Sequence, residues 1–305
     1  LSLDTNIQFL IRDELIKAKK IFNNIGSTAI LMDVNNGEII SLVSLPDYDL
    51  NKRQNLNDPK YINRATKALY ELGSVFKTFT FTAGINEGVI EKDTNFTNLE
   101  KKIKCGNNNI GEYDEEIPND LTAEEILIRS GNIGSVRIGQ KLGIEKLKTF
   151  LNNLGLIDKI EFDIEEVGQP MSINWGKCKL ATTSFGHGIT TTPLQLATAY
   201  AIISNGGFQI NPTLVKTIKF NKETKKKVLK ENISKEVNNV LRKVVSSKEG
   251  TAGFANIPGY EIGGKTGTAQ KIKNGQYSGK KVNTFVSIFP TSNPKFVLLV
   301  LLDEP

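Results

Sequence analysis

Residues 70–89, "YELGSVFKTFTFTAGINEGV", decide how the rest of the chain is read. The run is almost wholly apolar and predicts a buried helix, with Ser74 at its mouth and Lys77 one turn inside. Side chains three residues apart on a helix share one face within mutual reach. A serine hydroxyl is a poor nucleophile near neutral pH, so a neighbour must take its proton, and a lysine can do so only when neutral. Val75, Phe76, Phe79 and Phe81 make the charged form of Lys77 costly and so lower its pKa. An amine that ordinarily titrates near about 10.4 has to fall to roughly 7–8 to act as a base. The helix mouth also offers backbone N–H groups and a positive dipole end to an oxyanion.

The S-x-x-K spacing is not specific alone. It recurs at Ser278 with Lys281 and at Ser292 with Lys295, both read as Gly-, Asn- or Pro-rich turns beside strands. The Ser74 pair taken by itself reads first as a helix cap followed by a snorkelling lysine, ahead of a catalytic pair. Two further elements weigh against that bland reading. "RSGNIG", 129–134, presents Ser130 and Asn132 after a capped helix, a hydroxyl able to relay a proton and an amide able to hold a substrate amide. The same S-x-N spacing recurs at Ser172 and Asn174. "GGKTGTAQ", 263–270, carries Lys265, Thr266 and Gly267, a triplet found once, after a Gly-Gly pair in a predicted strand. Glycine there permits close approach of another backbone. A lysine with two hydroxyls suits a carboxylate, and a peptide laid along such an edge adds a strand.

The 305 residues, 39% of them hydrophobic, allow one large domain or two merged ones. No stretch approaches the roughly 18–20 apolar residues of a membrane span, and the first residues lack the basic start and cleavage site of a signal peptide. The chain opens directly into an amphipathic helix and ends just after a strand-like run, so it is expected to be a piece of a longer protein. Its 39 Lys+Arg against 33 Asp+Glu give +6. The densest basic run, "KFNKETKKKVLK" at 219–230, has a single aromatic, Phe220, and no glycine, and reads as a solvated hairpin, not a nucleic-acid site. Cys105, Cys178 and the single His187 lack metal-site spacing, so no metal is expected. The two cysteines are read as unpaired buried thiols in preference to the alternative, a disulfide between them.

"STAILMDVNNGEIISLVSL", 27–45, predicts two strands joined at Asn35-Asn36-Gly37. Three more strands are expected in "YEIGGKTGTAQ", "NTFVSIFP" and "KFVLLVLLDEP" near the other end. Between them the pattern is helical. Thr122 with Glu125 forms a capping box, Gly155 closes one helix, Thr192 caps another that begins at Pro193, and Ser234 is expected to cap a last one. In that last helix Val237, Val240, Leu241, Val244 and Val245 share one face. The expected fold is α+β: an antiparallel sheet from both chain ends, about 1–65 and 206–305, with a mostly helical insertion over about 66–205.

With Ser74/Lys77, Ser130/Asn132 and Lys265-Thr266-Gly267 in this order, the chain resembles the transpeptidase domain of class B penicillin-binding proteins, most closely the cell-division, septal type. "NRATKALYELGSVFKTFT", "RSGNIGSVRIGQKLG", "ATTSFGHGITTTPLQLATAYAIISNGG", "GGKTGTAQK" and "LLDEP" look like family segments in family order, almost end to end. The resemblance implies the penicillin-binding protein/β-lactamase-like fold and a serine D,D-transpeptidase that needs no cofactor. It makes Ser74 the acylated nucleophile, Lys77 its base and Ser130 the relay to the departing D-alanine. Asn132 would hold the acyl-side amide, and Lys265, Thr266, Gly267 and Thr268 would line the carboxylate subsite. The backbone N–H groups of Ser74 and Thr268 would form the oxyanion hole. Implied partners are D-Ala-D-Ala stem peptides, β-lactams and, in a full-length protein, a septal glycosyltransferase and other division proteins. Implied too are an N-terminal inner-membrane anchor and a periplasmic catalytic domain. Gly131 departs from the serine common at that position, and 98–120 matches the family poorly and is assigned nothing. A C-terminal covering helix usually follows "LLDEP" in the family; were it absent from the protein, an apolar sheet face would be exposed. The family places "FGHG" at the active-site rim, which favours a structural role for His187 over a Ser-His-Asp base. The rival readings are a β-lactamase, for which only Glu165 and Glu166 fall in a suitable interval, and a non-catalytic β-lactam sensor on the same fold.

Overall fold

The computed structural model describes residues 1–53, 55, 57–106, 108–216, 225–273 and 276–305. Asp4 starts helix α1 (Thr5–Phe22) by accepting the N–H groups of Asn6 and Ile7 at 2.9 and 3.1 Å, and Asn23 ends it in a left-handed turn at φ 52°. Strands β1 (Gly26–Asp33) and β2 (Ile39–Leu45) then form the predicted hairpin. Its turn is held by Asp33 and Asn36, whose side-chain oxygens accept the N–H groups of Asn35 and Glu38.

A 3-10 turn, Gly73–Phe76, leads into α2 (Lys77–Asn86), and the short strands β3 (Asn95–Phe96), β4 (Lys102–Cys105), β5 (Asn108–Gly111) and β6 (Leu121–Thr122) follow. The helical part continues with α3 (Ala123–Ile128), α4 (Asn132–Leu142), α5 (Ile144–Asn153), α6 (Lys177–Thr183) and α7 (Pro193–Ser204). The expected capping box of Thr122 with Glu125 forms, and Thr192 caps α7 as expected, with Gln195 adding a second box. After α8 (Glu231–Ser246) come β7 (Gly263–Lys273), β8 (Gln276–Phe289) and β9 (Phe296–Asp303). Residues 219–224, half of the basic run at 219–230, lie outside the described residues.

The main sheet is antiparallel throughout, in the order β2-β1-β9-β8-β7. The last strand therefore lies against the first, Gly26 opposite Asp303 and Asp33 opposite Phe296. One face carries α1, whose Leu15 packs with Ala29, Val43 and Leu45. The other face meets α7, buried along its whole length, and α8, with its five predicted apolar positions all buried. Together with the helices this is the expected α+β architecture, and β7 is left as an edge strand.

Two local expectations fail for identifiable reasons. Ser234 does not cap α8; the helix begins at Glu231, and Ser234 is buried one turn in. Its hydroxyl donates to Ile203 O at 2.6 Å and accepts the Gly206 N–H at 3.0 Å, satisfying backbone groups at the end of α7. Ser278 and Lys281 lie within β8, not in a turn, and three residues apart on a strand they point to opposite faces.

Arg64 ties this frame together. Its guanidinium is buried beside Asp303 at 3.4 Å and donates to the carbonyls of Leu45 and Lys60 at 3.1 and 2.9 Å. Removing one member of a buried pair strands the other in a poorly solvating interior. Arg64→Ala is expected to cost about 3 kcal/mol of stability, read from the urea midpoint. Lys17→Ala, which removes an exposed pairing on α1, should leave that midpoint in place.

Candidate active site

Backbone contacts made at glycines fix the position of Ser74. Gly73 adopts φ +62°, donates its N–H to Gly186 O at 3.3 Å, and lies so close to β7 that an added Cβ would stand 2.5 Å from Thr268 O. Gly267 in turn lies under Leu72 O, where a Cβ would fall far inside van der Waals contact. The turn is pinned from behind by Tyr200, whose hydroxyl donates to Val75 O at 2.8 Å and meets Thr78 Oγ1 at 2.8 Å. Ser74 is thus presented half-buried on the wall of a cleft of about 460 Å³, with Ser130, Asn132, His187, Thr266 and Thr268.

Beneath the cleft lie two buried amines. Lys77 Nζ donates to the carbonyl of Ser130, to Ser130 Oγ at 3.2 Å and to Asn132 Oδ1 at 2.7 Å. Lys265 Nζ reaches the same Ser130 Oγ at 2.8 Å and Thr266 O at 3.1 Å. Lys77 is 1% and Lys265 0% exposed, and Ser130 joins them from a left-handed backbone, φ 59°. Burial pulls Lys77 from 10.5 down to about 7, against the opposing pull of the Glu112 charge. Burial, and secondarily the nearby Lys77, hold Lys265 well below the ordinary lysine value.

The polar partners of Lys77 come from the Ser130–Asn132 turn, not from the phenylalanines, which pack as edge-to-face rings: Phe76 on Phe79 and Phe79 on Tyr200. Among the described residues no hydrogen bond joins Ser74 Oγ to Lys77 Nζ. Such bonds in an unliganded site commonly form only in the substrate complex.

His187 stands with ring centroids 4.9 Å from Phe185 and 5.7 Å from Tyr277. Burial and then the Lys77 charge push it down to about 4, so it is neutral at pH 7. Glu165 and Glu166 are exposed and do not line the cleft, and Glu166 accepts the Asn63 N–H. Ser172 and Asn174 do not line it either.

Sequence reading assigned nothing to 98–120, yet this segment builds one wall. Glu112 accepts the N–H groups of Asn132 and Ile133 at 2.6 and 2.8 Å, capping α4 where Gly131 has no side chain to do so. Tyr113 lines the cleft, its hydroxyl donating to Arg129 O at 2.7 Å. Thr251, hydrogen-bonded to Thr266 Oγ1 at 2.9 Å, and Lys281 were also missed. A glycine at a helix start without its own capping side chain was the available signal for Glu112.

The cysteines correct a second expectation. Cys105 and Cys178 form a disulfide with Cα atoms 5.4 Å apart, and neither is buried: Cys105 is half-exposed and Cys178 exposed. The physical reason is that the end of β4 folds against the start of α6, a juxtaposition that 73 residues of separation conceal.

Residues 27–305 match the family described as the penicillin binding protein transpeptidase domain. The whole chain aligns with 53% of a probable peptidoglycan D,D-transpeptidase FtsI of Caulobacter vibrioides at 34% identity. It also aligns with 49% of stage V sporulation protein D of Bacillus subtilis at 31%. The chain thus spans about half the length of these relatives. Among solved structures, the transpeptidase domain of Burkholderia pseudomallei penicillin-binding protein 3 superposes with TM-score 0.88 at 28% identity, covering 100% of this chain and 88% of that one. Penicillin-binding protein 3 of Mycobacterium tuberculosis, in complex with aztreonam, gives 0.89 at 25%, covering 99% and 72%.

Non-reducing peptide mapping should recover the Cys105 and Cys178 peptides joined. Replacing both cysteines by serine should cost about 2–4 kcal/mol in thermal or urea unfolding, because the bond closes a long loop.

Proposed function

Because the chain belongs to the penicillin-binding protein transpeptidase family, we propose that it cross-links peptidoglycan stem peptides through an acyl-enzyme on Ser74 during septal wall synthesis, and that β-lactams trap the first step. The carrying observation is the single hydroxyl of Ser130 held between two buried amines, at 3.2 Å from Lys77 and 2.8 Å from Lys265, on the cleft that Ser74 lines.

In this reading neutral Lys77 takes the Ser74 proton as Oγ bonds to the carbonyl carbon of the penultimate D-alanine. The backbone N–H groups of Ser74 and Thr268 hold the oxyanion, a role supported by the contact of the Gly73 turn with β7 at Thr268. The peptide C–N bond breaks, and the departing D-alanine nitrogen takes a proton from Ser130 Oγ, which recovers one from the Lys77 ammonium. An amine of a neighbouring stem peptide then attacks the ester. The new amide forms, and the amine's proton ends on Ser74 Oγ. Asn132 holds the acyl-side amide, while Lys265, Thr266 and Thr268 take the terminal carboxylate; Gly267 gives β7 the clearance to approach the Ser74 turn.

The same proposal places the domain in the periplasm, on a protein held to the inner membrane by an N-terminal anchor and working beside a septal glycosyltransferase and other division proteins. The Cys105–Cys178 bond supports an oxidising compartment. The greater length of the relatives supports further segments, since no helix among the described residues is long and apolar enough to cross a membrane.

Incubation with a labelled penicillin followed by peptide mapping tests this most directly. A stable adduct on Ser74 is expected, absent in Ser74→Ala. No adduct on folded protein would leave a silent binding module, and rapid release would mark a β-lactamase.

The acylation rate should rise with pH through a midpoint near Lys77's value of about 7, because only the neutral amine accepts the proton. A profile that stays flat between about pH 6 and 9 would remove Lys77 as the base.

A further inference from the structure

We propose that Glu112 is a positioning residue for the acylation step, clamping Asn132 so that its Oδ1 is held on Lys77 Nζ. The inference rests on the function proposed above and adds a residue from the segment in which sequence reading found no role.

The clamp has two sides. Glu112 Oε2 accepts from the Asn132 backbone N–H at 2.6 Å and Oε1 from Ile133 at 2.8 Å, which fixes the first turn of α4. The preceding carbonyl, Gly111 O, accepts from Asn132 Nδ2 at 2.8 Å. A carbonyl can only accept, so Asn132 Nδ2 has to face Gly111 O, and this turns Oδ1 toward Lys77 Nζ at 2.7 Å. Nδ2 keeps a second N–H free for a substrate carbonyl. One dipeptide, Gly111-Glu112, therefore sets both the backbone and the side chain of Asn132.

Glu112 also acts through its charge. The ionisable groups that face Lys77 are Glu112 and Tyr113 after β5, Lys265 on β7, and His187 after α6. Tyr113 presents its ring, centroid 5.9 Å from Nζ, and His187 is neutral at pH 7. Glu112 is the group among these that favours protonated Lys77, against burial. Geometry and charge are separable by substitution.

The experiment measures the second-order rate of Ser74 acylation by a fluorescent penicillin across pH, on the intact domain. Glu112→Gln keeps shape but loses the charge and one acceptor. It should acylate about ten- to a hundred-fold more slowly on the plateau, as misplaced catalytic groups do. It should also shift the rising limb to lower pH, because neutral Lys77 is then favoured. Glu112→Asp keeps the charge but shortens the reach, so the plateau should fall with the limb unmoved. Loss of a merely structural cap would lower folded protein, measured by circular dichroism, without moving the limb. Wild-type acylation with an unchanged rate and midpoint in folded Glu112→Gln overturns this proposal, whereas absence of acylation in the wild type overturns the function beneath it.

Discussion

The site depends on backbone meeting backbone without side chains between. Gly73, Gly186 and Gly267 lie where the Ser74 turn, the loop after α6 and strand β7 converge, and a methyl at any of them would push a wall away. This close approach is what lets Lys265, on a strand formed near one end of the chain, share a hydroxyl with Lys77 on a helix from its first third. The arrangement proposed to be catalytic follows from three stretches of chain touching at their thinnest points.

Two amines around one hydroxyl set the electrostatics. With both buried, their mutual repulsion and desolvation leave little room for two positive charges. The arrangement favours one neutral amine, which the proposed first step requires. A carboxylate arriving beside Lys265 supplies the counter-charge that favours its protonated form, leaving Lys77 as the neutral partner. His187, which a triad-minded reading would choose first, is held neutral between Phe185 and Tyr277 and bonds to none of these groups.

Much of this was legible in the sequence because it was written in local spacing. The hairpin at Asn35-Asn36-Gly37, the Thr122 capping box, the Thr192 cap, the three late strands and the Ser74, Ser130 and Lys265 elements each announce themselves within a few residues. What escaped was long-range. Glu112 caps a helix that begins twenty residues later in the chain, Cys105 finds Cys178 73 residues on, and Ser234 forsakes its own helix start for the end of α7. None of these carries a periodicity, since each depends on which surfaces the fold brings together.

The pairing of β1 with β9 also governs when the molecule can exist. Gly26 to Asp33 hydrogen-bonds to the last strand along its full length, and β8 reaches β1 only through that strand. Until Phe296–Asp303 has been made, the early hairpin has an open, apolar edge and α7 has no complete sheet to cover. Contacts so distant along the chain make for slow closure, and a partly synthesised chain offers that edge to any other strand it meets. Completion of the sheet therefore waits on β9, whose arrival closes that edge.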